Sequence, residues 1–328
     1  MLYFLILILL FSAMSLYFRI AEKHNIIDKP NERSSHDYIT IRGGGVVFWL
    51  AGALYTVIGT FNKTPLQYPF IAGLTMISAV GFIDDIKSLP NKIRIIIHFL
   101  SISFVFYGLN LYTVLPWYFI PAVYVFFVGI LNAFNFMDGI NGMTGLYSLS
   151  ILVSLQYINC KIISFTNTDF ILFAILACIV FLFFNCRKRA KCFMGDVGSM
   201  AISFWTVTLL LQLMLATHSV AWIVFLAVYG VDTILTIIHR LMLKENIFEA
   251  HRKHLYQILA NELKIPQLVI SVVYALLQSI ITVGFFLFYE YQYIYPVSII
   301  ILLSIIYIVI KKKSFHPHKD LSNVYGTH

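Results

Sequence analysis

Charged side chains are scarce in this 328-residue chain: they make up only 12% of it, whereas soluble domains carry roughly a quarter. Cysteine is scarce too, and the four cysteines form no paired framework, which argues against a disulfide scaffold or a zinc cluster. The chain also lacks a basic and aromatic module for nucleic acid. Apolar residues, in contrast, make up 60%, and the mean hydropathy is +0.84. These features exclude a soluble globular domain and indicate a membrane protein.

Long apolar runs recur along the whole chain. At about 20 residues per span, they predict eleven transmembrane helices and therefore an all-α, polytopic integral membrane protein. The first run lacks a basic start and a small-residue cleavage site, so we interpret it as a retained span rather than a signal peptide. No repeat or soluble segment interrupts the pattern, which predicts one transmembrane domain over residues 1–328. The predicted spans lie near 1–18, 45–61, 67–83, 94–110, 115–131, 143–159, 168–184, 198–216, 219–238, 267–289 and 295–310.

Basic residues concentrate in the connections on one face of the predicted bundle, which holds 21 of the 23 Lys and Arg residues. The positive-inside rule makes that face cytoplasmic, with the N-terminus outside and the C-terminus inside. Acidic residues follow the same bias, although they contribute little to topology. We therefore expect an active site on the cytoplasmic face, built from the loops. The net charge of +8 then describes one surface, suited to anionic lipid and phosphorylated substrates rather than nucleic acid.

A short polar stretch, residues 185–199, separates two apolar runs. Its single carboxylate, Asp196, lies between Gly195 and Gly198, and four Lys and Arg side chains, Lys191 among them, precede it. A carboxylate suits Mg²⁺, glycines let the backbone approach a ligand, and basic side chains balance phosphate charge. The alternative is a purely topogenic basic loop.

Two adjacent acids, Asp84 and Asp85, end the third predicted span. Carboxylates near the bilayer are costly unless a cation meets them, and acids at a helix C-terminus oppose the helix dipole. These two penalties favour a functional pair over a solvated helix end.

Asn132, Asn135 and Asp138 are spaced i, i+3, i+6 and share one helical face. Their loop contains no Lys or Arg, so it is not topogenic. Amides can read the edge of a nucleobase or sugar, and a carboxylate can accept a hydroxyl or amide hydrogen. This loop predicts ligand recognition.

The first cytoplasmic loop brings Arg33, His36 and Arg42 before the run Gly43–Gly45. Three glycines at the start of a helix can let two helices pack closely. They can also leave backbone N–H groups available to an anion at the helix N-terminus. The sequence leaves both interpretations open.

The last large loop carries His251 and His254 with Arg252 between them. The two histidines, one helical turn apart, lack a third metal ligand, and Arg252 and Lys253 between them would repel a metal. A contact to phosphate or sugar phosphate is the better interpretation. Asp232, inside the preceding span, is either functional or paired structurally with Arg240 or a backbone donor.

Four of these segments, in order, resemble the signature loops of the polyprenyl-phosphate N-acetylhexosamine-1-phosphate transferases. They are residues 81–85, 132–139, 193–199 and 250–254, and the opening loop over 28–45 is similar too. Members of that superfamily make the first lipid intermediate of peptidoglycan or initiate O-antigen, capsule and teichoic acid assembly. The resemblance covers essentially the whole chain.

The resemblance implies transfer of a sugar-1-phosphate from a UDP-N-acetylhexosamine to polyprenyl (undecaprenyl) phosphate, with Mg²⁺ or Mn²⁺, in the bacterial inner membrane. It favours the O-antigen and capsule branch, within lipopolysaccharide and cell-envelope biogenesis, and a 6-deoxy sugar; a homodimer stays open. Two departures from the family pattern, Ser88 and Asn141, should be dispensable positions. The implied roles are the metal for Asp196, uracil for Phe193, nucleotide and diphosphate for Asn132, Asn135 and Asp138, acceptor phosphate for Asp84 and Asp85, and sugar phosphate for His251–His254.

Two other classes of membrane protein share some of these features. A secondary transporter would place polar residues at the bilayer midplane and show repeated halves. A CDP-alcohol-type phosphotransferase would concentrate its aspartates in one motif. Here the polar chemistry lies at one face and is spread over several loops, which favours the transferase.

Overall fold

The computed structural model is almost wholly helical in the part of the chain that it describes, so the predicted all-α class is confirmed. Its one sheet pairs β1 (Ile27–Asp28) with β2 (Thr40–Ile41) in antiparallel fashion. Arg33 and His36, predicted to bind substrate, lie outside the described residues. The structure describes residues 1–28, 38–58, 67–246 and 251–314.

Thirteen α-helices follow one another in the described residues, joined by short connections and three 3₁₀ turns. The turns are Trp117–Phe119, Val220–Leu226 and Tyr289–Tyr291. The helices are α1 (Leu2–Lys23), α2 (Val46–Ile58), α3 (Gln67–Ile86), α4 (Asn91–Gly108), α5 (Leu111–Val114), α6 (Ile120–Met137), α7 (Met143–Lys161), α8 (Thr168–Asn185), α9 (Gly195–Thr217), α10 (Ala227–Met242), α11 (Leu255–Asn261), α12 (Gln267–Leu287) and α13 (Ile294–Ser314).

Each of the eleven predicted spans coincides with a helix, while α5 and α11 are short additions. Eight helical segments within the described ranges are long and apolar enough to cross a membrane. The other three spans coincide with α2, a shorter apolar helix of 13 residues, and with α4 and α7, which are less apolar. The polytopic membrane class is thereby confirmed.

Helix α9 forms the centre of the bundle. Of its apolar stretch, 72% is buried, the largest share among the eight candidate membrane spans. Its aromatic side chains pack against α3 and α6. The Phe70 ring lies 5.7 Å from Phe204 and 5.2 Å from Trp205, and the Phe127 ring lies 5.7 Å from Phe204. Such pairs add to the close packing that holds membrane helices together.

Two glycines let neighbouring helices approach the N-terminus of α9. A Cβ atom on Gly45, just before α2, would lie 2.1 Å from the Cα of Gly198. A Cβ atom on Gly81 of α3 would lie 2.7 Å from the backbone carbon of Asp196. Only glycine permits such approaches. They bring the ends of α2 and α3 against the first turn of α9, which carries Asp196.

Candidate functional site

Side chains from several connections converge at one end of the bundle and line two neighbouring cavities. The small cavity holds about 250 Å³ and the large cavity about 570 Å³. Asn135 and Gln257 line both. The small cavity is walled mainly by residues 138–141 and 193–196, and the large cavity by α4, α6, α10 and the loop before α11.

The two predicted acids at the end of α3 have different surroundings. Asp85 is buried and accepts hydrogen bonds from the backbone N–H of Asp196 at 2.9 Å and of Val197 at 3.1 Å. It also accepts one from Nε of Arg42 at 2.9 Å. A carboxylate at these N–H groups satisfies donors that the helix leaves free and complements its dipole. Asp85 therefore fixes the start of α9 in place.

Asp84, in contrast, belongs to an ion network with Asp196. The guanidinium of Arg94 lies 3.1 Å from Oδ2 of Asp84 and 3.4 Å from Oδ2 of Asp196. The backbone N–H of Leu89 donates to the other oxygen of Asp84. Arg94 thus joins two acids from separate loops, an arrangement that leaves neither carboxylate without a cation.

Helix α6 brings its polar face against the first turn of α9. The side-chain amide of Asn135 donates to Oδ1 of Asp196 at 2.9 Å and to Oγ of Ser199 at 3.1 Å. Asn132 lines the large cavity and Asp138 the small one, so the predicted shared face is present and spans both cavities.

Asp138 lies directly after the last residue of α6 and faces the small cavity. Burial, together with the nearby carboxylates of Asp196 and Asp85, raises the pKa of its carboxyl group to about 7. Three acids thus lie close enough to repel one another, and a bound cation would relieve that repulsion.

Oxygen donors around Asp196 fit a magnesium ion better than a transition metal. The described ranges contain no group of three or more His, Cys, Asp or Glu residues arranged to hold a metal. Mg²⁺ is usually bound by one or two carboxylates together with substrate phosphates and water. Asp196, with the carboxylate of Asp138 lining the same cavity and the amide of Asn135 bonded to it, fits that mode of binding.

Phe193 lines the small cavity, and backbone hydrogen bonds hold its segment in place. Its N–H donates to the carbonyl of Ile41 in β2 at 2.8 Å, and its own carbonyl accepts from Gly44 N–H at 2.8 Å. The position of this aromatic ring is therefore determined by the first loop as well as by its own.

The glycine run before α2 serves packing. The N–H of Gly44 is used by Phe193, and that of Gly45 donates to the carbonyl of Met194 at 2.9 Å. A Cβ on Gly44 would lie 2.4 Å from Sγ of Cys192. The anion-site interpretation is therefore wrong for Gly44 and Gly45, because the protein itself takes up their N–H groups.

The large cavity combines cationic and imidazole groups with apolar walls. Arg94 and Arg240 line it, together with His98, whose Nδ1 has no hydrogen-bond partner among the described residues although only 3% of the residue is exposed. Apolar side chains such as Ile95 and Ile237 complete the wall. Such a lining suits an anionic group attached to an apolar body.

The predicted pair His251 and His254 lies in this wall too. The segment before Leu255 is not helical, so the expectation of one helical turn is wrong; nevertheless the two rings lie side by side, 4.9 Å apart between centroids. Burial, helped by nearby His254 and Arg240, lowers the pKa of His251 to about 4. The ring of His251 is therefore neutral at pH 7, and its Nδ1 accepts a hydrogen bond from the backbone N–H of Lys253 at 3.3 Å.

Two predicted ligands line neither cavity. The ammonium of Lys191 lies over the ring of Phe18, 5.0 Å from its centroid, and Arg252 is absent from both walls.

Asn141, where the family pattern often has an acid, donates to the carbonyl of Arg187 at 2.9 Å and so joins two loops.

Sequence reasoning missed Arg94, His98 and Gln257. In the sequence, Arg94 is one of the basic residues of the predicted cytoplasmic face, and His98 lies inside the predicted span 94–110. Their i, i+4 spacing places both on one face of α4, and a polar pair inside an apolar run was the available signal.

Known proteins similar to this chain point in one direction. The family described as glycosyl transferase family 4 matches residues 68–214. A probable undecaprenyl-phosphate N-acetylglucosaminyl 1-phosphate transferase of Bacillus subtilis (strain 168) is 28% identical over 259 residues, 73% of this chain and 70% of the relative. The undecaprenyl-phosphate alpha-N-acetylglucosaminyl 1-phosphate transferase of Escherichia coli (strain K12) is 28% identical over 281 residues, 78% and 75% of the two chains. A phospho-N-acetylmuramoyl-pentapeptide-transferase of Thermotoga neapolitana is 29% identical over 242 residues, 67% and 76%.

Proposed function

Since this chain belongs to the polyprenyl-phosphate hexosamine-1-phosphate transferases of glycosyl transferase family 4, we propose that it transfers an N-acetylhexosamine-1-phosphate from a UDP-sugar to polyprenyl phosphate. The observation that carries the proposal is the pair of adjoining cavities. One has a wall of amides, acids and an aromatic ring, the other a cationic wall with apolar flanks, and they meet at Asn135 and Gln257.

We assign the small cavity to the uridine diphosphate of the donor. The Phe193 ring offers a stacking surface for uracil, and Arg42 and Asn135 line the same space. Asp196 and Asp138 would hold Mg²⁺, or Mn²⁺ in its place, and the ion would neutralise charge on the diphosphate. This assignment puts the sugar-bearing phosphate near the junction of the cavities.

We assign the large cavity to the phosphate end of the acceptor. Arg94 and Arg240 supply positive charge, and His98 and His254 supply buried ring nitrogens. The apolar part of the wall suits the first part of a lipid chain.

The reaction balances without a base. A phosphate oxygen of the acceptor attacks the phosphorus that carries the sugar, a new P–O bond forms, and the bond from that phosphorus to the bridging oxygen breaks. UMP leaves with the electron pair. A phosphate monoester has its second pKa at about 6, so the acceptor is largely dianionic at neutral pH. The chain must therefore position the two substrates and balance their charge, which is what phosphoryl transfer mainly requires. The burial of Asp85 under the start of α9 agrees with a structural role for it.

The cavity end of the bundle is cytoplasmic in this proposal, because 21 of the 23 Lys and Arg residues belong to connections on that side. The membrane is the bacterial inner membrane, where nucleotide sugars and polyprenyl phosphate meet. The product would initiate a surface glycan such as O-antigen or capsule.

For the donor we propose a UDP-linked N-acetylated 6-deoxyhexosamine, with UDP-GlcNAc or UDP-GalNAc as the second candidate. The His-Arg-x-His form of residues 251–254 supports the first, and the names of the relatives support UDP-GlcNAc. A pocket without a partner for the 6-hydroxyl rejects that hydroxyl only modestly. The enzyme should therefore still turn over the hydroxylated donor, but more slowly than the 6-deoxy donor.

The test is UMP release by purified protein, with each UDP-sugar, with and without polyprenyl phosphate. We expect release that depends on the acceptor and on a divalent cation, and that is fastest with the 6-deoxy donor. No release with any donor, or release independent of acceptor, would contradict the transferase. Efficient turnover of UDP-GlcNAc alone would contradict only the deoxy-sugar assignment.

A further inference from the structure

Asp232, buried within α10, is bonded to groups outside its own helix. Only 3% of the residue is exposed. Its carboxylate accepts hydrogen bonds from the hydroxyl of Tyr274 at 2.8 Å and from the backbone N–H groups of Leu255 at 2.9 Å and Tyr256 at 3.4 Å. Arg240, a partner that the sequence suggested, bonds instead to Glu245 and to a backbone carbonyl. The acid is thus directed at the start of α11.

The same carboxylate also meets the ring of His254. Nδ1 of His254 lies 3.3 Å from Oδ1 of Asp232, and both residues are almost wholly buried. Nε2, on the far side of the ring, has no hydrogen-bond partner among the described residues, and His254 lines the large cavity. One ring nitrogen therefore lies against Asp232, while the other is buried and makes no hydrogen bond within the described residues.

We propose that Asp232 is a positioning residue, which holds the Nδ1–H of His254 so that Nε2 faces the phosphate groups in the large cavity. The inference rests on the proposed function, since it names which group of the chain meets those phosphates. A carboxylate that accepts from one ring nitrogen fixes the tautomer and the ring orientation of a histidine. In the doubly protonated ring, Nδ1–H stays on Asp232 and Nε2–H is donated to a phosphate oxygen.

Asp232 also has a local structural role, because its bonds to Leu255 and Tyr256 hold the first turn of α11. A loss of activity in an Asp232 variant would not by itself separate the two roles. The separation has to come from His254, because only the positioning role acts through the imidazole.

A matched pair of variants at His254 tests the two nitrogens one at a time. The amide nitrogen of His254→Asn can replace Nδ1 towards Asp232 but leaves nothing at the position of Nε2. The longer His254→Gln places an amide near Nε2 and leaves Nδ1 without a substitute. We expect kcat for UMP release to fall at least about 100-fold in His254→Asn, as when one transition-state donor is removed, and less in His254→Gln.

A double-mutant cycle then tests the coupling. Asp232→Asn should lower kcat by about 10- to 100-fold in the wild-type background, the usual cost of removing an outer partner of a functional histidine, with KM for the UDP-sugar changed less than kcat. In the His254→Gln background the same change should cost less than about threefold, because the bond that it removes is already lost. Melting temperatures establish that each variant is folded, and Tyr295→Phe, which removes a hydroxyl bonded to the Ile281 carbonyl away from both cavities, should behave like wild type.

Three outcomes decide the matter. If His254→Asn keeps wild-type kcat, Nε2 meets no reacting phosphate and the inference fails; this arm holds even if Asp232→Asn does not fold. If Asp232→Asn costs the same factor in both backgrounds, Asp232 acts only through the fold. If wild-type protein releases no UMP from any donor, the proposed function fails first.

Discussion

The guanidinium of Arg94 on α4 lies 3.4 Å from the carboxylate of Asp196 on α9 and so places a cation beside the proposed magnesium ligand. Arg94 also lines the large cavity, whereas Asp196 lines the small one. The pair therefore links the place where we put the donor diphosphate to the place where we put the acceptor phosphate.

Substitution of Arg94 by alanine should reduce turnover strongly. The change removes a cation from the large cavity and leaves the partly buried carboxylates of Asp84 and Asp196 without their shared cation, which is costly for two acids held close together. We expect kcat/KM for the acceptor to fall by about 100-fold, as for the loss of a charged partner in a site. Arg94→Lys should restore only part of the lost activity, because a single ammonium group cannot bridge both acids. Lys87→Ala, which removes an exposed cation from the connection between α3 and α4, serves as the control and should match wild type. Equal rates for Arg94→Ala and wild type would show that the ion pairs are structural only.

Substitution of Asp196 by asparagine should abolish metal-dependent turnover in a folded protein. The carboxylate of Asp196 is the proposed ligand of Mg²⁺. An asparagine has nearly the same size and can still accept the hydrogen bond from Asn135. We expect kcat to fall by at least about 100-fold, with little change in melting temperature. The matched control is Asp169→Asn, which replaces the carboxylate that accepts from the Tyr3 hydroxyl, at a position lining neither cavity, and should keep wild-type activity. Substantial Mg²⁺-dependent activity in Asp196→Asn would remove Asp196 from the metal site.

Substitution of Phe193 by alanine should weaken binding of the UDP-sugar. Stacking of a base on an aromatic ring contributes roughly 1–3 kcal/mol, so KM for the donor should rise about 5- to 150-fold while KM for polyprenyl phosphate changes little. The measurement is UMP release over a range of donor concentrations. Phe119→Ala, which removes an exposed ring that lines neither cavity, should leave both constants unchanged. A donor KM equal to that of wild type would mean that Phe193 only packs against its surroundings.

The helices were predictable because a membrane span needs a long apolar run, and each such run in the sequence became a helix. The sequence also predicted that Asn135, Asp138 and Asp196 would contribute to one site, since all three are polar groups next to such apolar runs. The different surroundings of Asp84 and Asp85 were not predictable. They depend on the close approach of α3 to α9, which no local pattern encodes.

Closeness along the sequence to a recognised motif gave a wrong prediction for Lys191 and no prediction for His98. Lys191 lies five positions before Asp196, yet the chain turns between them and the ammonium packs over Phe18 instead. His98, by contrast, is far in sequence from every recognised motif and reaches the large cavity because of the face of α4 on which it lies. Which face of an apolar helix meets a cavity is decided by packing with other helices, and distance along the sequence does not show it.

Substitution of His98 by phenylalanine should affect the acceptor and not the donor. The imidazole lines the large cavity, 3% of the residue is exposed, and its buried Nδ1 has no partner among the described residues. We expect a phosphate or the first polar atoms of the lipid to bond to this ring when the acceptor binds. We expect KM for polyprenyl phosphate to rise by about tenfold, the worth of one hydrogen bond to a charged group, with KM for the UDP-sugar unchanged.

The same variant should be no less stable than wild type, because it replaces a buried polar group that lacks a partner by an apolar ring. A melting temperature equal to or above that of the wild type, together with the selective rise in acceptor KM, would support a binding role for His98. Ser101→Ala is the matched control: its hydroxyl, in α4, is also buried and has no partner in the part of the chain that the structure describes, but it lines neither cavity. The change should therefore leave both KM values as they are. If His98→Phe and Ser101→Ala behave alike in the acceptor titration, His98 does not contact the acceptor, and binding in the large cavity depends on its other polar lining residues, Arg94, Arg240 and His254 among them.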